Sequence, residues 1–363
     1  MESKKGSQVK YNQYIGTVYV GIDVHRKSYA VAILVEGAII MKKTMPADSE
    51  ALVCFLKRTF PLAKIHSVYE AGFCGYGLHR KLVANDITNL VVNPASVQIA
   101  SRDKVKTDQR DASKLAEHLA AGFLKGIRIR SPEEEYNRLG SRLRETLLKD
   151  RKRFMVRARM KLHEFDLLPL EHTGVLTYAY VQELIHGEQL HPMLKQTLQA
   201  YLRIWKVLDE NIRVQDKAIK EEAKTNSCIQ TYMEVPGIGM TTAKYLFDEL
   251  GDLQQFKNEK SLFSFLGLTP CEFTSGDKVR RGHISRQGNP TLRAKLTECS
   301  WIAIGKDPVL KKSFSKIAAR QGAKKATLAI VRKLIGRARA LFRTKKEYEL
   351  NYNSVTPQNL LAA

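Results

Sequence analysis

The run TVYVGIDV at residues 17–24 decides how the first third of this chain is read. Val18, Val20 and Ile22 alternate with Tyr19, Gly21 and Asp23, which is the two-residue period of a β-strand. The strand ends in an acid, and the polar cluster His25, Arg26, Lys27, Ser28 follows at once. An ionised carboxylate near the middle of a sheet is costly unless something compensates its charge. A metal ion would do so, and further acids from distant parts of the chain would then converge on Asp23.

Working outward, residues 29–35 and 38–44 read as two more strands joined by a turn at Glu36-Gly37, giving a meander of three. Residues 46–60 follow as a helix, with Leu52, Phe55 and Leu56 at helical spacing. A fourth strand at residues 66–69 runs into Glu70, a second acid at a strand's carboxyl end. Gly72, Gly75 and Gly77 loosen the loop before a helix at 78–85, and a fifth strand at 89–92 closes at Asn93-Pro94. The order βββαβαβα predicts an α/β domain with a mixed sheet and its chemistry at the strands' carboxyl ends.

The segment 101–121 predicts a helix with Thr107 as N-cap and Leu115, Ala116 and Leu119 on its apolar side. Asp108 and Asp111 are three apart and share a face of the first turn. Taken alone, such acids complement a helix dipole. Beside Asp23 and Glu70 they make a set of four carboxylates suited to two Mg²⁺ ions, with Mn²⁺ as a substitute. Asp103, in the same segment, competes for a place in the set.

Composition points to the partner. The 363 residues suffice for two or three domains, and 44% hydrophobic with 27% charged residues is ordinary for a globular chain. A net charge of +23 and a pI of about 9.7 favour a polyanion, of which nucleic acid is the commonest. A membrane is disfavoured, since no stretch approaches the ~18 consecutive apolar residues of a span. Residues 1–14 read as a polar leader without the apolar core of a signal peptide. Five scattered cysteines without a CxxC pair argue against a zinc site or a disulfide scaffold and suit a reducing cytoplasm.

From Ser131 the texture becomes helical. Ser131-Pro132-Glu133-Glu134 combines an N-cap, a first-turn proline and a capping-box acid, and opens a long helix carrying Leu139, Leu143, Leu147, Ala158, Leu162 and Phe165 on one stripe. A second long helix follows Pro192, with Leu194, Leu198, Tyr201, Trp205, Leu208, Ile212 and Ile219 at 4–3 spacing. The pattern suits a coiled coil between chains or a helical hairpin within one. The basic run 149–159 either solubilises the first helix or tracks phosphates. Val235-Pro236-Gly237-Ile238-Gly239 resembles the hairpin of a helix-hairpin-helix element, with Gly237 and Gly239 letting backbone N–H groups approach a phosphate. A tight turn between packed helices is the plainer alternative. Residues 306–346 combine many Lys and Arg with helical spacing and read as a basic surface, ahead of a polar tail at 349–363.

Three N-terminal segments, GIDVHRKS, VYEAGFCGYGLHRKL and DKVKTDQRDASKLAEHL, resemble the motifs of insertion-sequence transposases with a DEDD acidic tetrad. This is the "one-ten" family with its "eleven-eleven" subgroup, related to the Piv/MooV DNA invertases. The matching acids are Asp23, Glu70, Asp108 and Asp111. Leu268-Thr269-Pro270, Thr274-Ser275-Gly276, Gly282-His283-Ile284 and Gly288-Asn289 through Leu292-Arg293 match the family's C-terminal motif. The resemblance implies a RuvC-like, ribonuclease-H-like domain at 15–128, a helical coiled-coil region at 129–228 and a mainly α transposase domain at 229–348. It implies Ser275 as the nucleophile, with Arg280, Arg281, Arg286 and Arg293 as nearby cations. Ser264, Ser285 and Thr274 are the competing hydroxyls, and His283 suits a phosphate contact better than acid–base work. The implied partners are double-stranded DNA, a structured non-coding bridge RNA and further copies of the chain, as a dimer assembling to a tetramer. Two rival readings are a metal-only Holliday-junction resolvase or invertase, and a non-catalytic nucleic-acid-binding protein.

Overall fold

β1 (Thr17–Val24) lies at the centre of a five-stranded sheet, with the chain's second and third strands on one side and its fourth and fifth on the other. The computed structural model describes residues 11–97, 107–169, 174–187, 190–272 and 280–350. The chain divides into two units, Met1–Ser131 and Pro132–Ala363, each built on its own core. No helix among the described residues is long and apolar enough to cross a membrane.

In the first unit β2 (Ser28–Val35) and β3 (Ala38–Pro46) form an antiparallel meander with β1, while β4 (Lys64–Glu70) and β5 (Thr88–Val92) add in parallel. The alternation in TVYVGIDV sorts the two faces. Val18, Val20 and Ile22 pack with Leu52 and Leu56 of α1 (Ser49–Thr59) and Leu78 and Leu82 of α2 (Gly77–Val83). The opposite face receives α3 (Asp108–Ala120), through Ala30, Ala32 and Ala112 and through Val68, Val92 and Leu115. The helix predicted from residue 46 begins later, because Pro46 still pairs with Ser28 in the sheet and Asp48 caps α1 by accepting from Glu50 N at 2.8 Å. Thr107 is at the N-cap of α3, but its side chain makes no capping bond.

The second unit is helical. α4 (Pro132–Glu164) and α6 (Pro192–Thr225) pack lengthwise, with the short α5 (Tyr178–Gly187) against their shared core. Arg144 pairs with Asp216 at 2.6 Å and Arg151 with Asp209 at 2.9 Å, so the two long helices are antiparallel. The 4–3 stripe on α6 is therefore largely satisfied inside the chain, with Leu194, Leu198, Trp205, Ile212 and Ile219 buried. It does not by itself call for a second copy, and here the hairpin alternative describes the packing. The single stripe expected on α4 also divides: Ala158 and Leu162 are buried, whereas Leu139 and Leu143 are exposed, as is Phe165 just past the helix end.

The amino-terminal half of α4 docks through charge instead. α7 (Ser227–Met233) and α8 (Met240–Leu250) follow α6, and the last turn of α8 offers two buried acids. Glu249 accepts from Arg138 at 2.8 Å and Arg142 at 2.7 Å, while Asp248 accepts from Ser141 and, at 2.6 Å, from Lys244. Burial alone would raise the Glu249 carboxyl, but Arg142 and Arg138 hold it below the usual glutamate value. A carboxylate with a lowered folded-state pKa stabilises above its unfolded pKa of ~4.3, and that contribution is lost as pH falls through the folded value. Glu249→Ala should cost about 2 kcal/mol at neutral pH, chiefly by taking the carboxylate from the largely buried Arg138, while the half-exposed Arg142 turns to solvent, with a smaller difference from wild type in acid. Denaturant melts of both proteins at the two pH values test this.

The remaining helices are α9 (Glu259–Phe265), α10 (Pro290–Lys306), α11 (Pro308–Gln321) and α12 (Ala323–Thr344), around a core that includes Leu246, Leu262, Leu296, Ile330 and Leu334. The short antiparallel pair β6 (Pro270–Glu272) and β7 (Arg281–Ile284) lies between α9 and α10 and was not expected from the sequence.

Candidate functional site

The site is built where β1 ends, and Gly21 is the residue that permits it. A methyl group added there would meet Ala112 O at 1.9 Å and Ala116 N at 2.6 Å, both backbone atoms of α3. The helix backbone thus rests directly on the strand. Ala30 and Ala32 on neighbouring β2 add only a methyl each to the adjoining surface. This close approach brings the first turn of α3, with Asp108 and Asp111, over the end of β1.

His25 Nε2 lies 3.2 Å from Asp23 Oδ2 and 3.2 Å from Asp108 Oδ2. One donor atom from each of the three residues falls within 4.8 Å of the others. Two carboxylate oxygens and an imidazole nitrogen from separate elements form a donor set that a divalent cation accepts. Burial raises the Asp23 carboxyl above its usual value; His25 opposes the shift, and Asp108 and Asp111 add to it. Negative charge is thus crowded at Asp23 in a way that a cation would relieve.

Glu70 and Asp111 stand outside this mutually close set. Asp111 nonetheless acts on Asp23 electrostatically. Ile22 pairs with Tyr69 in the parallel β1–β4 ladder, so Asp23 and Glu70 leave adjacent strands one step further on, at the same level. Strand alternation turns Glu70 to the face of Val68, which packs against α3. In the sequence His25 reads only as one member of a polar cluster. The signal available there was its position two residues after Asp23, and its backbone N–H donates to Ser28 O at 2.9 Å to close the β1–β2 turn.

The C-terminal motif is placed in part. Thr274 and Ser275 lie outside the described residues, as do Asp103 and the side chain of Arg281. Arg280, His283 and Arg286 are exposed. Arg293 works inside the protein: its Nη1 donates to Gln287 O at 2.8 Å, Leu266 O at 3.2 Å and Gly288 O at 3.3 Å. That anchors the loop between β7 and α10. Gly237, at φ +89°, faces Cys299 O so closely that an added methyl would stand 2.3 Å from it. Its glycine is accounted for by packing on α10, whereas Gly239 is exposed at the N-cap of α8.

The basic C-terminal helices are divided in the same manner. Arg332 donates to Leu268 O, Arg339 donates to Phe256 O at 2.8 Å, and Arg337 pairs with Asp307. These three serve the fold. Lys311, Lys312, Lys316, Arg320, Lys324 and Lys325 are exposed.

Two family-wide sequence patterns match the chain. That of the DEDD transposases of IS110 type matches residues 20–165, and that of the transposase IS116/IS110/IS902 family matches residues 230–315. The transposase for insertion sequence element IS1533 of Leptospira borgpetersenii is 29% identical over 303 residues, covering 78% of this chain and 84% of the relative. The transposase for insertion sequence element IS1111A of Coxiella burnetii is 26% identical over 268 residues, covering 72% and 73%.

Proposed function

The chain belongs to the IS110-type DEDD transposases, enzymes that cleave and rejoin DNA, and on that premise we propose that it moves an insertion sequence by serine-initiated, metal-assisted strand exchange. Ser275 Oγ attacks a DNA phosphorus, the bond from phosphorus to one deoxyribose oxygen breaks, and the strand is held as a phosphoserine ester. The seryl proton passes to a base and the departing oxygen takes one up, so the step balances. A pair of Mg²⁺ ions, when bound, supplies polarisation of the phosphoryl oxygens and offsets the developing charge.

Asp23, Glu70, Asp108 and Asp111 are the residues that would hold these ions. Arg280, Arg281 and Arg286 offset the phosphate charge, and Arg293 positions the loop that carries Arg286. Gly239 leaves the amino end of α8 open for a backbone–phosphate contact. Exchange passes through a Holliday-type junction, and a structured bridge RNA pairs with donor and target DNA. A dimer that pairs into a tetramer performs the exchange. The net charge of +23 suits a protein that grips both polyanions by their backbones and leaves sequence reading to base pairing.

The observation that carries this reading is the approach of Asp108 to Asp23, made possible by α3 seated on Gly21. The test is Ser275→Ala in an excision assay, with covalent protein–DNA adducts resolved on a denaturing gel. Wild type should yield an adduct, and the variant should yield none and lose strand exchange by about 10³-fold or more. Cleavage by the variant, together with no adduct in wild type, would instead support the metal-only resolvase or invertase. Family membership weighs against the non-catalytic reading.

A further inference from the structure

We propose that His25 is a direct ligand in the divalent-metal site, giving this chain a mixed nitrogen–oxygen donor set in place of carboxylates alone. The inference rests on the reading that Asp23 and Asp108 hold a cation. Its own evidence is the position of one nitrogen. His25 Nε2 is equidistant, at 3.2 Å, from oxygens carried by two different elements, the end of β1 and the first turn of α3. Donors about 2.1 Å from a common ion stand about 3.0 Å apart when cis in an octahedron and about 3.4 Å apart in a tetrahedron. The observed spacing lies between these values. Both distances to His25 thus match ligand-to-ligand spacing, and the two carboxylates, whose donor oxygens lie within 4.8 Å of each other, are near enough to close on one ion.

The backbone supports the same placement. The bond from His25 N–H to Ser28 O, at 2.9 Å, pins the turn from which the ring projects. The side chain is 45% exposed, so it is open to solvent and not locked in a core. A histidine that only neutralised two acids would satisfy the same contacts, and the two roles differ in chemistry. A point charge or a hydrogen bond affects all divalent ions alike. An imidazole ligand adds affinity for transition-metal ions such as Co²⁺ and, more weakly, Mn²⁺, and little for Mg²⁺, which prefers oxygen. A chain with His25 at this position therefore discriminates between metals in a way that four carboxylates would not.

The full-length protein, wild type and His25→Ala, is titrated with Mn²⁺ followed by electron paramagnetic resonance, and with Mg²⁺ in competition. The variant should lose Mn²⁺ affinity by about 10- to 100-fold while its Mg²⁺ affinity changes by less than about 3-fold. Pulsed resonance on Mn²⁺-loaded wild type should show a nitrogen hyperfine coupling that disappears in the variant. Equal loss for both ions, unchanged Mn²⁺ affinity, or absence of the nitrogen coupling overturns the proposal. Asp23→Ala separates the levels: if Mn²⁺ binding survives that change, the metal reading itself fails; if binding is lost there but untouched in His25→Ala, only the histidine ligand is wrong. Circular dichroism of each variant establishes that the fold is kept.

Discussion

Gly21→Ala should unseat α3 and reduce DNA cleavage by at least about 100-fold, although the substitution adds one methyl group and touches no charged residue. The added carbon would stand 1.9 Å from Ala112 O and 2.6 Å from Ala116 N. Both are helix backbone atoms, so no side-chain rotation relieves the clash. The helix must lift, and it carries Asp108 and Asp111 with it. Overpacking of this kind costs about 3 kcal/mol. Gly72→Ala is the matched control, since its nearest neighbour is Glu70 O at 4.0 Å, and its stability should stay within about 0.5 kcal/mol of wild type. Denaturant melts and a strand-cleavage assay on the two variants decide the matter. A Gly21→Ala protein as stable as wild type would remove the packing account of the site.

Asp23→Asn should lower strand cleavage by about 10³-fold, equivalent to about 4 kcal/mol of transition-state stabilisation, while leaving the fold intact. The sign of its stability effect is what would distinguish a functional Asp23 from a structural one. Its carboxyl is raised in the folded protein, first by burial and further by Asp108 and Asp111. The native state therefore binds the proton more tightly than the unfolded chain does, and stability from this group declines as pH rises past its unfolded value. At neutral pH the ionised Asp23 is a cost. An amide removes the charge and retains a partner for His25, so stability should be equal to or above that of wild type. Activity falling while stability holds or rises is the signature of a site kept for chemistry. A variant that lost both would show Asp23 to be a structural residue.

Much of this architecture is legible in the residues. The alternation in TVYVGIDV identifies both β1 and its two faces, since a period of two is a property of the extended backbone. Pro192 and the apolar stripe that follows it mark α6 for the corresponding reason. The three-residue spacing of Asp108 and Asp111 places both on the first turn of α3. Other features depend on partners that are remote in sequence. Nothing local to α4 says that Arg138 and Arg142 will meet Glu249 and leave Leu139 and Leu143 exposed. Arg293 and Arg339 look like any other basic residues until the carbonyls they bind are known. The pairing of β6 with β7 is too short to announce itself by periodicity.

The sequence by itself determined the strand that ends in Asp23, the acids at the ends of later elements, the excess of positive charge and the kinship with transposases. The first three follow from local periodicity, residue type and composition, and the kinship from the resemblance of whole motifs to those of a known family. The tertiary structure decided which of those residues meet. It showed that Gly21 is a glycine because a helix backbone lies on it, that His25 stands between two carboxylates, and that the stripe on α6 is buried within its own chain. Those facts depend on distances between parts of the chain far apart in sequence, and only packing sets such distances.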